Sequence, residues 1–562
     1  MQRLLTSLSL LGALASLGFA DVKYNVRVNP AAKNLTVRMQ IDGAKEIETV
    51  RIPAWCPGFY FLLDYEKALF DVNVVNLAGK KLATKKLDSR AIQISNPSRE
   101  PVVVTYRIQG LDTGLGFFRT HVRATSAFIN GPSAFLYADD HMTEKHSVKF
   151  NVPTGWDIGT AMDHDGQGTY SAGGYDELVD HPIQLGRFVR RSFKVEGVPF
   201  EAIWVGDPAP RCDVDAETER LRRGSIPAMR MMKKVPFKKY VYLIHLEVGD
   251  FAGGLEHRAS TTIATGNGQT VHLDELATHE FYHSWNVKQI RPKILGPFDY
   301  TKPQRTVNLW FSEGVTDYYS KLHAYQAGLI GESQLLDGLR DEIRTLERSE
   351  TRKKMTLEQV CFQTWEDSGF GGFGDLSFYN MGLVSGFIFD ATIRQETGGK
   401  RSLDDVMRLA YDRYALPNPG FEEGALRDLM VEVGGEKLGP IYDTLIRSAG
   451  KELPYSQLEN LGLRLTTPGK EYVDAPFVVN EAGTITKVLG SDTGLLDGDQ
   501  IVLVELGGTD SLKVTVTRSG AEKQVVVKAR KFKANDMRLT RNLLATPTQS
   551  ARRAEWLKGS GG

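Results

Sequence analysis

Apolar positions alternate with polar ones from the start of the mature-looking chain: Val22, Tyr24, Val26 and Val28, then Leu35, Val37, Met39 and Ile41, with Asn29-Pro30 and Asp42-Gly43 between and after them. A period of two broken by turn residues predicts an antiparallel β domain, which the pattern carries over residues 21–195. From about Arg190 to Gly266 strands continue, including Tyr240-Val241-Tyr242-Leu243-Ile244. Beyond that the period changes to helical. Leu273 to Trp285 reads as an amphipathic helix with Leu273, Leu276, Ala277 and Phe281 on its apolar side, and Ser333 to Ser349 as another. Thr356-Leu357-Glu358-Gln359 is a capping box, Ser377 to Thr397 an apolar helix stopped by Gly398-Gly399, and Ser402-Leu403-Asp404-Asp405 a further helix start. The fold class expected is multidomain α+β.

Composition narrows the function without naming it. The 562 residues carry 69 basic and 69 acidic side chains, so no net field draws the chain to nucleic acid or to an anionic membrane. The start, Met1-Gln2-Arg3 followed by the apolar run Leu4 to Phe19 and small residues at Gly18 and Ala20, fits a signal peptide over residues 1–20 and predicts export to a bacterial periplasm or beyond. No other stretch has membrane length. Cys56, Cys212 and Cys361 allow one disulfide at most, and none has metal-ligand spacing.

The chemistry concentrates in Thr278-His279-Glu280-Phe281-Tyr282-His283-Ser284-Trp285. Histidines four apart on a helix share one face and can share one Zn2+ ion, and Glu280 beside them is placed to act as a general base on a water. Downstream, Leu309-Trp310-Phe311-Ser312-Glu313-Gly314-Val315-Thr316-Asp317-Tyr318-Tyr319 supplies Glu313 as third ligand. Two histidines and a glutamate leave a fourth position open, the pattern of a catalytic site with one zinc per chain. Asp317, one turn on, is placed to take the outer N–H of a ligand histidine, and His279 is the one expected. Upstream, Gly253-Gly254-Leu255-Glu256-His257 combines glycines that let a backbone come close to a ligand with a carboxylate suited to a substrate ammonium. Two more segments stand out by composition alone: Ile52-Pro53-Ala54-Trp55-Cys56-Pro57-Gly58-Phe59-Tyr60 and Tyr175-Asp176-Glu177-Leu178-Val179-Asp180-His181-Pro182-Ile183, with His181 read as structural.

Taken together, WCPGFY, YDELVDHPI, GGLEH, HEFYH and LWFSEGVTDYY resemble the glycyl aminopeptidase family of exported zinc metallopeptidases. The resemblance implies a β-rich N-terminal domain (21–195), a thermolysin-like catalytic domain (196–455) and a C-terminal PDZ-like domain (456–535), followed by a tail (536–562). It also implies a peptide substrate cut after its N-terminal residue, Gly or Ala by preference, with His279, His283 and Glu313 on zinc and Glu280 as base. Glu256, with Gly253 and Gly254, matches the site that holds the substrate's free amine. Tyr379, in Phe378-Tyr379-Asn380-Met381-Gly382, sits where related enzymes have a transition-state tyrosine, although Met381 stands where they carry lysine. His283 and Glu313 lie farther apart than in those relatives, and the extra residues, Arg291 to Arg305, are expected to shape the pocket. An endopeptidase of the same fold is the alternative, and a catalytically silent peptide-binding protein a more remote one. The C-terminal domain resembles PDZ at Thr493-Gly494-Leu495-Leu496-Asp497-Gly498-Asp499-Gln500-Ile501. Only Gly508 to Lys513 are left for its groove helix, which predicts a degenerate domain that packs instead of recruiting peptide.

Overall fold

The computed structural model describes residues 21–560 apart from 111–115, 210, 247–250, 267–270, 367–370, 481, 491–492 and 509, so the expected signal segment lies outside the described residues. The N-terminal domain is built on a seven-stranded sheet. Its first strand, Asp21–Asn29, pairs antiparallel with Asn34–Ile41, Tyr24 opposite Met39, and parallel with Lys145–Asn151. Val22, Tyr24, Val26, Val28, Leu35, Val37, Met39 and Ile41 are all buried, because a strand presents alternate side chains to one face.

A five-stranded sheet follows, in the order Val189–Val195, Val198–Val205, Tyr240–His245, Ser260–Thr265, Ala252–His257. The first of these corrects the expected domain limit at residue 195. Val189–Val195 forms a hairpin with Val198–Val205 through Glu196 and Gly197, both at positive φ, and so belongs to the catalytic sheet. Alternation runs unbroken across the boundary, which is why patterning does not mark it. The sheet is apolar on both faces. Ile203, Val205, Val241, Leu243, Leu255 and Ala264 pack into the N-terminal core, while Trp204, Tyr242, Ile244 and Ile263 pack into the helical core. Burial on both faces removes the polar half of the alternation.

A second correction falls inside the stretch read as continuous strands, where Val214–Met232 is a 19-residue helix. Asp213 caps it by accepting from the Asp215 and Ala216 N–H groups, and Leu221, Ala228, Met229 and Met232 bury one side. Gly224 and Pro227 blur its helical signature. Gly224 is there for packing: a Cβ would stand 3.0 Å from Thr278 Cγ2 on the histidine helix.

The helices then enclose the site. The histidine helix is Asp274–Tyr282, shorter than expected, although His283 keeps right-handed helical backbone and its N–H still bonds the His279 carbonyl (3.3 Å). A π-turn at Trp310–Gly314 leads into the helix Val315–Gln326, and Phe378–Glu396, capped by Ser377, crosses it. At the crossing a Cβ on Gly314 would lie 2.4 Å from Gly382 Cα, so only paired glycines allow this approach.

A C-terminal β domain contains Gln500–Leu506, Ser511–Arg518 and Ala521–Lys528 in one sheet over Phe477, Leu512, Val514 and Val516. The segment read as a tail is ordered and returns to the catalytic region. Arg538–Arg541 pairs with Leu463–Thr466, and the helix Pro547–Lys558 buries Trp556 against Phe387, its Nε1–H donating to Tyr318 Oη (2.8 Å). Cys56, Cys212 and Cys361 are free thiols. Among the described residues no helix is long and apolar enough to cross a membrane.

Candidate active site

His279 and His283 meet because helical backbone places residues four apart on one face. Their Nε2 atoms lie 2.9 Å from each other, and Glu313 Oε2 stands 3.7 Å from His279 Nε2 and 3.2 Å from His283 Nε2. The outer nitrogens are engaged elsewhere: His283 Nδ1 donates to the Asn286 carbonyl (2.6 Å), and His279 Nδ1 lies 2.7 Å from Asp317 Oδ1. Protons held on Nδ1 leave both Nε2 lone pairs aimed at one point beside a carboxylate oxygen. Such an arrangement repels itself unless a cation sits between, and tetrahedral zinc with bonds of about 2.0–2.2 Å requires ligand separations of roughly this size. The three side chains therefore fit the metal.

Glu280 is buried one residue along and faces the edge strand Ala252–His257. A Cβ at Gly254 would fall 2.1 Å from Glu280 Oε1, so that glycine is required for strand and carboxylate to coexist. Burial pushes Glu280 up to about 7 against the pull of the two histidines. Burial would also raise Glu313, but the imidazoles outweigh it and bring it down to about 2. For His279, Asp317 overcomes burial and raises the pKa well above the ordinary histidine range, so a metal that takes the Nε2 lone pair must displace a proton from it.

Glu256, from the same edge strand, brings a carboxylate oxygen within 4.8 Å of ligand atoms of both Glu280 and His283. The WCPGFY loop of the N-terminal domain closes over it: a Cβ on Gly58 would meet Glu256 Oε2 at 2.6 Å. From that loop Tyr60 also reaches the centre, its hydroxyl donating to Glu313 Oε1 (3.5 Å). Sequence reasoning missed Tyr60; its one signal was the unusual composition of the loop. Tyr379 lies beside the histidines, its ring 6.1 Å from that of His279, carried there by the Gly314–Gly382 contact one turn away. Burial and the nearby carboxylates keep the Tyr60 and Tyr379 hydroxyls protonated. Gly253 precedes Gly254 at the open end of the strand with φ 158°. His181 stays outside the centre, its Nδ1 donating to the Glu177 carbonyl (2.7 Å).

A cavity of about 710 Å³ opens on the Glu256 side. Trp55, Tyr60, Met142, Val287 and Phe298 supply its apolar lining, and Arg291, Leu295 and Pro297 from the long connection to Glu313 form part of its wall.

Two histidines and a glutamate around one point, a buried carboxylate beside them and an edge strand alongside define a zinc metallopeptidase. Residues 23–187 match the peptidase M61 N-terminal domain and residues 272–384 the M61 glycyl aminopeptidase domain. These two stretches carry the domains of the M61 family. An aminopeptidase N family protein from Idiomarina loihiensis shares the fold at 20% identity and TM-score 0.75, over 95% of this chain and 100% of that one. An M1 zinc metallopeptidase from Deinococcus radiodurans, in a substituted form bound to a Tyr-Ser-Ala substrate, aligns at 14% identity and TM-score 0.51, over 78% of this chain and 95% of that one. A search of curated proteins returned no match.

Proposed function

We propose that the protein is an exported aminopeptidase that removes the N-terminal residue of peptides, Gly and Ala foremost, with Glu280 as general base. The observation that carries it is Glu256, a buried carboxylate on the edge strand within reach of Glu280 and His283. An ammonium held there lies about one residue from the reacting carbonyl, and that spacing makes an exopeptidase. The Deinococcus radiodurans protein with its bound tripeptide supports peptide as the substrate class.

Zinc, held by His279, His283 and Glu313, would supply a Lewis acid that makes water acidic and polarises the scissile carbonyl. Glu280 takes the proton of the attacking water and passes it to the leaving amine. The Tyr379 hydroxyl donates to the oxygen that gains charge. Asp317 holds the His279 ring in the orientation the metal needs. The edge strand Ala252–His257 offers its free backbone groups to the peptide, with Gly253 and Gly254 permitting close approach. A cleaved peptide would run along it with its N-terminus at Glu256. The C-terminal β domain, in which Ser511–Arg518 begins within the stretch where a groove helix would lie, serves as a packing module of degenerate PDZ type.

One observation favours the endopeptidase alternative: the cavity beyond Glu256 has room for residues preceding the scissile one. Hydrolysis of Gly-, Ala- and Leu-terminated peptides, each free and N-acetylated, separates the two readings. Cleavage of the free forms alone, lost in Glu280→Gln and weakened in Glu256→Ala at equal zinc content, is the expected result. Equal cleavage of acetylated peptides would establish an endopeptidase. Chelation should abolish activity and added zinc restore it. Cell fractionation tests export, with the mature chain expected to begin at Asp21.

A further inference from the structure

GGLEH, singled out for its chemistry, and YDELVDHPI, singled out by composition, meet at a buried lysine to which the catalytic scheme gives no role. Lys288, five residues beyond His283, is 8% exposed. Its Nζ donates to Asp180 Oδ1 (3.0 Å) and lies 3.6 Å from Glu256 Oε1. Asp180 comes from the N-terminal domain, just after the short helix Tyr175–Val179. Its Oδ2 accepts from the Arg258 backbone N–H (3.1 Å), and its Oδ1 lies 3.2 Å from His257 Nδ1. Glu256 Oε1 is buried and accepts no hydrogen bond. All three side chains line the cavity beside the catalytic centre.

The charges around this point can be counted. Among the described residues that contact Lys288, Asp180 and Glu256 bring two negative charges against its one positive. The His257 Nδ1–H is spent on Asp180 (3.2 Å), the Arg258 guanidinium is turned to Glu177 (3.7 Å), and Arg291, over the Phe298 ring (5.9 Å), is matched by Asp176. Buried charge is expensive unless paired, so a cluster with two carboxylates and one ammonium is one cation short. We propose that the Lys288–Asp180 pair is the specificity-determining element of the amine anchor. It holds Glu256 in place and leaves the cluster lacking one positive charge, which a free substrate ammonium supplies and a blocked N-terminus does not. This rests on Glu256 being the amine anchor. Lys288 and Asp180 act through that carboxylate and are positioning residues.

Asp180→Asn removes one negative charge with little change of shape. Lys288 then neutralises Glu256 unaided, and the incoming ammonium becomes a surplus cation. With zinc content matched, KM for Ala-Ala-Phe-amide should rise by about tenfold or more at nearly constant kcat, while the Ki of its N-acetylated form as a competitor stays within about twofold. The double variant Asp180→Asn/Lys288→Met leaves Glu256 as a single unpaired negative charge, and most of the preference for the free amine should return. A pair that merely supported the fold would make the double variant no better than the single one. Asp180→Glu keeps the charge and should keep the discrimination; its loss there would overturn the proposal, as would an unchanged KM in Asp180→Asn beside a raised KM in Glu256→Ala. Unchanged KM in both Asp180→Asn and Glu256→Ala would remove Glu256 as the anchor, and this proposal with it.

Discussion

The two sides of the histidine helix hold buried carboxylates in opposite electrostatic situations. Toward Glu313, two imidazoles and a carboxylate converge, and among the described residues no lysine or arginine stands between them. Toward Glu256, Lys288 supplies a cation from within the chain and Asp180 shares it. The first cluster calls for an added ion; the second keeps one net negative charge, which the proposed substrate ammonium would balance. Acidic sites flanking one helix can thus be proposed for different cations, a metal and an ammonium, by counting the charges already present.

The contrast is tested most severely at Glu280, which stands between the two clusters. Glu280→Gln should lower kcat by about 10²- to 10⁴-fold with zinc retained and KM for free-amine peptides little changed. A matching loss of zinc would instead tie Glu280 to the metal side, as metal analysis of the purified variant would reveal. Gly254→Ala forces a methyl group into the Glu280 carboxylate and displaces the proposed base. Its kcat should fall by about a hundredfold, since misplacing a reacting group by about 1 Å costs that much. Asp317→Asn should affect the metal side only. Zinc affinity, measured by chelator competition, should fall by about 10- to 100-fold, leaving the discrimination between free and acetylated peptides as in the wild type. Tyr60→Phe removes a long hydrogen bond to the outer oxygen of Glu313, and a change of a few-fold in zinc affinity is expected.

The C-terminal segment supplies a control that contributes no residue to either cluster. Trp556→Ala empties a fully buried site against Phe387 and should cost about 3–5 kcal/mol in stability by thermal denaturation. Unchanged kinetics at low temperature would then separate the support this helix gives from the chemistry of the site.

Much of the metal side was legible in the residues. His279, Glu280 and His283 are related by a local rule, the pitch of a helix, and that rule holds wherever the helix is placed. Glu313 and Asp317 share one short stretch, so their joint approach to the histidines needs only one helix–helix contact, at Gly314 and Gly382. The alternation of the N-terminal strands likewise appeared as written, because the pleat of a strand enforces it. Where the signal was weak, competing constraints were at work. Val214–Met232 carries a glycine and a proline that argue against a helix, yet it forms because its apolar side finds a core. Val189–Val195 alternates like the strands before it, and only its partner, Val198–Val205, assigns it to the next sheet.

The anchor side and the reach of Tyr60 were decided by the tertiary structure. Lys288 and Asp180 are 108 positions apart, and Tyr60 and Glu313 are 253 apart. No periodicity links residues at such distances, because they meet only when two domains close on each other. Short-range geometry therefore determined which residues can bind a metal, and the packing of the N-terminal domain against the catalytic sheet decided which charges surround it.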